Sequence, residues 1–430
     1  MSVLLVFAVM TVTDSPPLVL ISIDGLKPDY VIEADKYNLK IPNLRKIKSE
    51  GVYAAGVKGV LPTVTYPSHA TIITGVSPDK HKIMFNRPFD PYNQNDWGWY
   101  WFAEDIQAPT LWSEAVKAGL IVSNIDWPTT VGANITINIP QYWGVSTPDR
   151  DKILRSLSTN EVIKEAENAL GVKYPYSDHS SIKGDLLKAL FSVYILKTKQ
   201  PDFHLCYFTG LDTEQHRTGP YSSETFSTLE KIDELIGQIT AIANEYSDNK
   251  AIICVVSDHG FTEYNKVINI NSALVSAGLI KFNEDYEIVD WNAMAWSCDG
   301  GSAAIFIKEG DLKASDQVKS VLEEITKSDN CIEQIIEDKE NDIIWVGLKS
   351  NFCFDESFYK STIIYSSNGG AHGYMPNIQE MDASFFITGQ NISADVCLGR
   401  IDMRDIAPTL AYLLNIKLPS AEGQNLLLRK

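Results

Sequence analysis

The sequence predicts an α/β fold, with a mainly parallel central sheet, helices on both faces and small inserted cap segments. Three observations predict it. Short, mainly apolar runs stop at turn or polar residues, as strands buried on both faces do. Helical patterns lie between those runs, and such alternation produces a parallel sheet covered on both sides. Several runs finish on or near a carboxylate, and open parallel sheets bind ligands at the carboxyl ends of their strands.

The chain opens on an apolar run, Val3 to Val12, followed by small and polar residues. Residues 1–15 read as a secretory signal, although no Lys or Arg precedes the run, or else as a first buried strand or a disordered leader. Strands are then expected at Leu18–Ile23, Leu120–Ile125, Phe203–Phe208, Ala251–Val256, Ala303–Ile307 and Ser384–Thr388. Between Ser223 and Tyr246, Phe226, Leu229, Ile232, Ile236, Ile239, Ile242 and Ala243 recur at helical spacing on one face. Pro42–Glu50, Leu111–Ala118, Leu312–Thr326 and Asp405–Leu414 read as further helices. Arg87–Phe102, rich in Trp, Tyr, Asn and Pro, reads as a loop, either a packed lid or a ligand-binding surface. With no repeat and no linker, residues 16–430 are expected to form one unit carrying inserts at about 87–150 and 290–364.

With 21% charged and 44% hydrophobic residues, the 430-residue composition is globular. The net charge of −18 argues against sequence-independent binding of a nucleic-acid polymer. A small anion remains compatible, because bound metal reverses the field locally. No stretch is long and apolar enough to span a bilayer. Asn134 and Asn391 begin glycosylation sequons. The six cysteines include no Cys-x-x-Cys pair, which excludes a typical thiolate zinc site. Cys206 and Cys254 read as packed free thiols, whereas the later cysteines could pair in an exported protein.

Four segments carry candidate ligands. Asp24 ends the first apolar run; alone, it could be a turn former. Asp212 follows the Phe203–Phe208 run, and His216, four residues on, shares a helical face with it. Asp258 and His259 follow Ala251–Val256 directly. His372 sits between glycines, which permit close backbone approach. Each has a structural alternative as a cap, a turn or a surface residue. Together, three Asp and three of only seven His supply a ligand set that suits two zinc ions. The segment Pro62-Thr-Val-Thr65-Tyr66-Pro67 adds a hydroxyl. Pro67 fits a first helical turn, which puts Thr65 where backbone N–H groups favour an anion. Thr65 is then either an activated nucleophile or a plain N-cap.

These segments resemble the nucleotide pyrophosphatase/phosphodiesterase family of the alkaline phosphatase superfamily. The resemblance is carried by Ser22-Ile-Asp24-Gly, Pro62 through Gly75, Asp212-x3-His216-x2-Gly-Pro220, Ser257-Asp258-His259-Gly and His372-Gly-Tyr, in the family's order. It implies an alkaline-phosphatase-like catalytic domain with two Zn²⁺ per chain, acting on a small phosphorylated substrate. By the same resemblance Thr65 is the nucleophile and a ligand to one zinc with Asp24, Asp258 and His259, while Asp212, His216 and His372 hold the other. Asn86 is implied as the donor to a phosphoryl oxygen, Tyr66 as the aromatic against the leaving group, and Trp127 and Tyr142 as substrate walls. The chain departs from the family at Ser68, Gln215 and Lys82, which leaves the ligands intact and the substrate open.

The expected reaction is hydrolysis of a phosphodiester or nucleotide pyrophosphate bond through a phospho-threonine, in a secreted or extracytoplasmic protein. A phosphomonoesterase or phosphonate hydrolase on the same scaffold is the alternative, although no Arg stands beside Thr65 to bind extra phosphate oxygens. A sulfatase is disfavoured by the absence of its Cys/Ser-x-Pro-x-Arg setting. A zinc-containing binding protein using Trp97, Trp99, Tyr100, Trp101 and Phe102 is the non-catalytic alternative.

Overall fold

The computed structural model describes residues 15–428 except 97, 145–148, 176–177, 297–299 and 359–363. The apolar run at 3–12, Trp97 and Cys298 therefore lie outside the described residues. Six strands carry the central sheet: β1 (Leu18–Ile23), β2 (Val122–Ile125), β3 (Ile137–Ile139), β4 (Phe203–Phe208), β5 (Ile252–Val256) and β6 (Phe385–Thr388). With two short edge strands the order is Val396–Cys397, Val52–Tyr53, β6, β5, β1, β4, β2, β3. β1 sits centrally and parallel to both neighbours, with Ile21 opposite Cys206 on one side and Val255 on the other. β6 runs antiparallel to both of its neighbours, so the sheet is mixed but mostly parallel.

Period-two alternation explains the unbroken apolar runs. Leu18 and Leu20 pack on one face with Ile72, Ile73 and Leu410. Val19, Ile21 and Ile23 pack on the other with Leu229, Ile232 and Ile236. Four helices matter for the site: α1 (Thr65–Thr74), α2 (Ile182–Lys199), α3 (Gly210–Thr218) and α4 (Ser223–Tyr246). α4 has the bounds its pattern predicts, and Ser222 caps its start by accepting the Thr225 N–H.

The apolar run at 303–307 is a strand, Ser302–Ile307, but not part of the central sheet. It lies in an antiparallel four-stranded sheet with Ala293–Trp296, Ile343–Leu348 and Ile332–Asp338. Its buried residues pack with Val318, Leu322 and Ile325 of the Leu312–Asp329 helix. A covered antiparallel strand carries the same apolar run as a parallel one, so composition could not separate them. A further small sheet, Phe352–Asp355, Thr262–Asn269 and Ile364–Ala371, delivers His372. Helix α2 is absent from the sequence reading, because its buried face includes Asp185, Lys188 and Ser192 and so breaks the apolar stripe.

Among the described residues no disulfide joins Cys206, Cys254, Cys331, Cys353 and Cys397, of which the last is exposed and the others are buried. Among the described residues no helix is long and apolar enough to cross a membrane.

Candidate active site

Parallel strands place their carboxyl ends on one edge, and there the candidate ligands meet. Two triads form, each with its ligand atoms within 4.8 Å of one another: Asp24, Asp258 and His259, and Asp212, His259 and His372. His259 Nε2 lies 3.3 Å from both Asp24 Oδ1 and Asp258 Oδ2, and His372 Nε2 lies 3.7 Å from Asp212 Oδ1. The rings of His259 and His372 stack at 3.7 Å, which joins the two triads. His216 falls outside the second triad. Its Nε2 stands 3.4 Å from Asp212 Oδ1 on the more exposed flank of the centre, consistent with their i, i+4 spacing on α3.

The histidines are oriented alike. Nδ1 of His259 donates to Gly260 O, Nδ1 of His216 to Gly370 O and Nδ1 of His372 to Thr63 O. Since a carbonyl only accepts, the proton sits on Nδ1 and the Nε2 lone pair faces the centre. Gly370 is required by this approach, because a Cβ there would lie 2.2 Å from Gln215 O. Asp258 Oδ1 accepts the N–H groups of Gly25 and His259, each at 3.1 Å, and Tyr207 donates its hydroxyl to Asp24 Oδ2.

The residues fit a cationic occupant. Asp24 Oδ1, Asp212 Oδ1, Asp258 Oδ2 and His259 Nε2 are buried without hydrogen-bond partners. Buried polar atoms are normally satisfied, so four converging orphans of metal-ligand type mark a place for ions. The electrostatics agree. Burial, then the carboxylates of Asp212 and Asp258, push Asp24 well above the usual carboxylate range. Burial also acts to raise Asp212, but His216 and the other histidines hold it low. Burial, reinforced by His259, drives His372 well below the usual imidazole range.

Thr65 is the first residue of α1, and Val64, which makes no side-chain cap bond, occupies the N-cap position. The plain N-cap alternative for Thr65 is thereby removed. Its side chain is half-buried, and its hydroxyl has no protein hydrogen-bond partner among the described residues. The flanking backbone is tied to the centre, since Thr63 O holds His372 and Thr65 O accepts from His69 Nδ1 at 2.8 Å. His69 in turn stands 3.6 Å from Asp258 Oδ2, with Ser22 donating to its Nε2 at 2.8 Å. Asn86 Oδ1 accepts the Tyr66 N–H at 2.9 Å, which turns its amide NH₂ away from the helix.

The aromatic residues are placed differently from their expected role. Tyr66 is fully buried, with its hydroxyl on Gln141 Oε1 at 2.8 Å and its ring 5.2 Å from Trp99. Trp127 is also fully buried, edge-on to His69 at 5.0 Å. Neither offers an open face in this conformation, so both pack behind the site instead of lining it. Tyr142 is half-buried beside Trp101 at 5.3 Å. Sequence reasoning missed His69, Ser22 and Tyr207. His69 could have been found one helical turn beyond Thr65, whereas Tyr207 is hidden inside an apolar strand.

A mostly parallel α/β sheet with paired His/Asp clusters at its strand ends is the architecture of the alkaline phosphatase superfamily. Within it, the chain belongs to the family described as type I phosphodiesterase / nucleotide pyrophosphatase, whose model matches residues 18–365. Ectonucleotide pyrophosphatase/phosphodiesterase family member 3 of Rattus norvegicus is 26% identical over 260 residues, covering 58% of this chain and 25% of the relative. Family member 1 of Homo sapiens is 25% identical over 281 residues, covering 62% and 26%. The matched region thus spans about a quarter of each of these relatives. In fold, the chain is similar to human ectonucleotide pyrophosphatase/phosphodiesterase 5 (TM-score 0.68, 20% identity, 96% of this chain and 100% of that one). It is equally similar to an inactive threonine-to-alanine variant of the murine protein in complex with AMP (TM-score 0.67, 19% identity, 95% and 97%).

Proposed function

We propose that the chain is a two-zinc hydrolase that cleaves phosphodiester or nucleotide pyrophosphate bonds through a phospho-threonine on Thr65. The observation that carries this reading is the convergence of four buried, unpartnered ligand atoms on one centre tied to the backbone around a free hydroxyl. Zinc has the N/O preference this donor set offers, and when bound it lowers the pKa of a nearby hydroxyl and offsets phosphoryl charge.

The chain's own residues supply the remaining steps. Thr65 Oγ1 gives up its proton to solvent and attacks phosphorus, and the leaving oxygen departs with the bonding electron pair and takes a proton from solvent. The start of α1 faces the phosphoryl group with backbone N–H groups. Asn86, held through Oδ1 by Tyr66, donates its amide N–H to a non-bridging oxygen as charge builds there. Water then attacks from the opposite side and frees Thr65. Binding of AMP by the murine relative supports a nucleoside monophosphate as one product here. The absence of Arg from residues 60–75 favours a diester over a monoester.

The test compares bis-p-nitrophenyl phosphate, the corresponding monoester and a dinucleotide at fixed zinc. Diester and dinucleotide are expected to be cut faster than monoester, with all activity lost to chelator. Thr65→Ala is expected to abolish turnover while metal content stays near two per chain. Near-normal activity in that variant overturns the nucleophile, and a preference for monoester overturns the substrate class.

A further inference from the structure

Lys188 is fully buried, yet it belongs neither to the two triads nor to the apolar core. Its Nζ lies 2.7 Å from Asp126 Oδ2, 3.4 Å from Asp185 Oδ1 and 3.1 Å from Thr209 Oγ1. Those three residues come from different elements. Asp126 follows β2, Asp185 lies on α2, and Thr209 is the junction between β4 and α3.

The junction matters because α3 presents Asp212 in its first turn. A helix start leaves backbone N–H groups without partners, and the N-cap side chain usually takes one. Thr209 does not, since its hydroxyl donates to His179 O. Asp185 does the capping from another helix instead, accepting the N–H of Thr209 at 3.0 Å and of Gly210 at 2.8 Å. Gly210 admits this approach, because a Cβ there would lie 2.6 Å from Asp185 Oδ2 and 2.7 Å from Ile182 N. A buried ion cluster is weak evidence for stability, since well-packed apolar residues often do as well. What this one provides is placement: a single ammonium ties the cap of α3 to the end of β2.

We infer that Lys188 is a positioning residue, clamping Asp185 onto the start of α3 and so setting Asp212 opposite His259 and His372. The inference rests on the proposed reading of Asp212 as a metal ligand.

The test uses zinc-loaded full-length protein as wild type, Lys188→Met, the double variant Asp126→Asn/Lys188→Met, and Asp185→Asn. The double variant removes the closest ion pair without stranding Asp126 as a lone buried charge. Zinc content is followed against rising chelator, and kcat and KM are measured for a diester. Partners that orient metal ligands typically contribute 10–100-fold to affinity or activity. Zinc is therefore expected to leave Lys188→Met and the double variant at about tenfold lower chelator. Their kcat is expected to fall about 10–100-fold with KM within about threefold, while circular dichroism stays that of the wild type. Asp185→Asn, which keeps one acceptor, is expected to move the same way by less. Should Lys188→Met not fold, the other two variants decide. The inference is overturned if the folded double variant and Asp185→Asn keep both zinc ions at the wild-type chelator concentration and kcat within about twofold. Chelator competition needs no substrate, so its result stands even if the wild type cuts no diester.

Discussion

Tyr207 is the penultimate residue of β4, where strand alternation aims its side chain away from the Cys206 and Phe208 face and toward the end of β1. Its hydroxyl donates to Asp24 Oδ2, leaving Oδ1 as the free oxygen toward the centre. Removing that donor in Tyr207→Phe leaves the volume intact, so the effect falls on the ligand and not on packing. Zinc retention is expected to drop about tenfold, read as the chelator concentration that halves metal content. An unchanged midpoint separates Tyr207 from the ligand set. Under the proposed mechanism Asn86→Ala, by contrast, is expected to spare zinc and lower kcat by about 10²–10³, since the donated hydrogen bond strengthens only as charge builds on the non-bridging oxygen. A change confined to KM argues for ground-state binding alone. The candidate ligands were legible because strands ending in Asp and glycine-flanked His are local features of the chain. Tyr207 was not, because its partner Asp24 is distant in sequence, whereas the one local sign of His69 is its place a helical turn beyond Thr65.

At the scale of elements, the structure uses caps supplied from elsewhere in the chain. The Pro42–Ser49 helix has Ile41 at its N-cap, which can accept nothing through its side chain. Asp233 of α4 accepts the N–H of Asn43 at 3.1 Å and of Leu44 at 2.7 Å. Asp185 does the same for α3. Such caps are invisible to a search for Ser, Thr, Asp or Asn just before a helical pattern, and this is why the helix bodies could be read while their starts could not be explained. Asp233→Ala leaves two buried or half-buried N–H groups unpaired far from the metal centre. The expected loss is about 2 kcal/mol of stability, seen as a lower urea midpoint at constant slope with kcat unchanged. A parallel loss of kcat contradicts the separation of this cap from the site.

At the scale of the whole molecule, the central sheet was readable because its strands are covered on both faces and therefore mainly apolar. The four-stranded sheet was only partly so, since its edge strand Ile332–Asp338 is mostly exposed and mixed in composition. Burial across these layers also fixes the acid limit. Burial holds His81 down to about 4, and His179 and His204 down to about 3. An unfolded chain has histidines near 6.5, so below that pH it binds protons the folded chain refuses. The stability these groups contribute is thus full above about 6.5 and is lost as pH falls toward their folded values. At pH 5 the loss is about 2 kcal/mol for each. Asp126 has the opposite sign. Burial raises it to about 6, and its contribution is present at low pH and lost as pH rises through about 6. Among these four groups the three histidines outweigh Asp126 between pH 7 and pH 5. His204 isolates the effect, because it sits near the start of β4, at the opposite end of that strand from the candidate ligands, and Ser123 is its hydrogen-bond partner among the described residues. His204→Gln keeps a polar group for Ser123 but cannot take up a proton. Between pH 7 and pH 5 the variant is expected to lose about 2 kcal/mol less than wild type, measured by urea unfolding at each pH. Parallel curves for the two proteins assign the acid sensitivity to other groups.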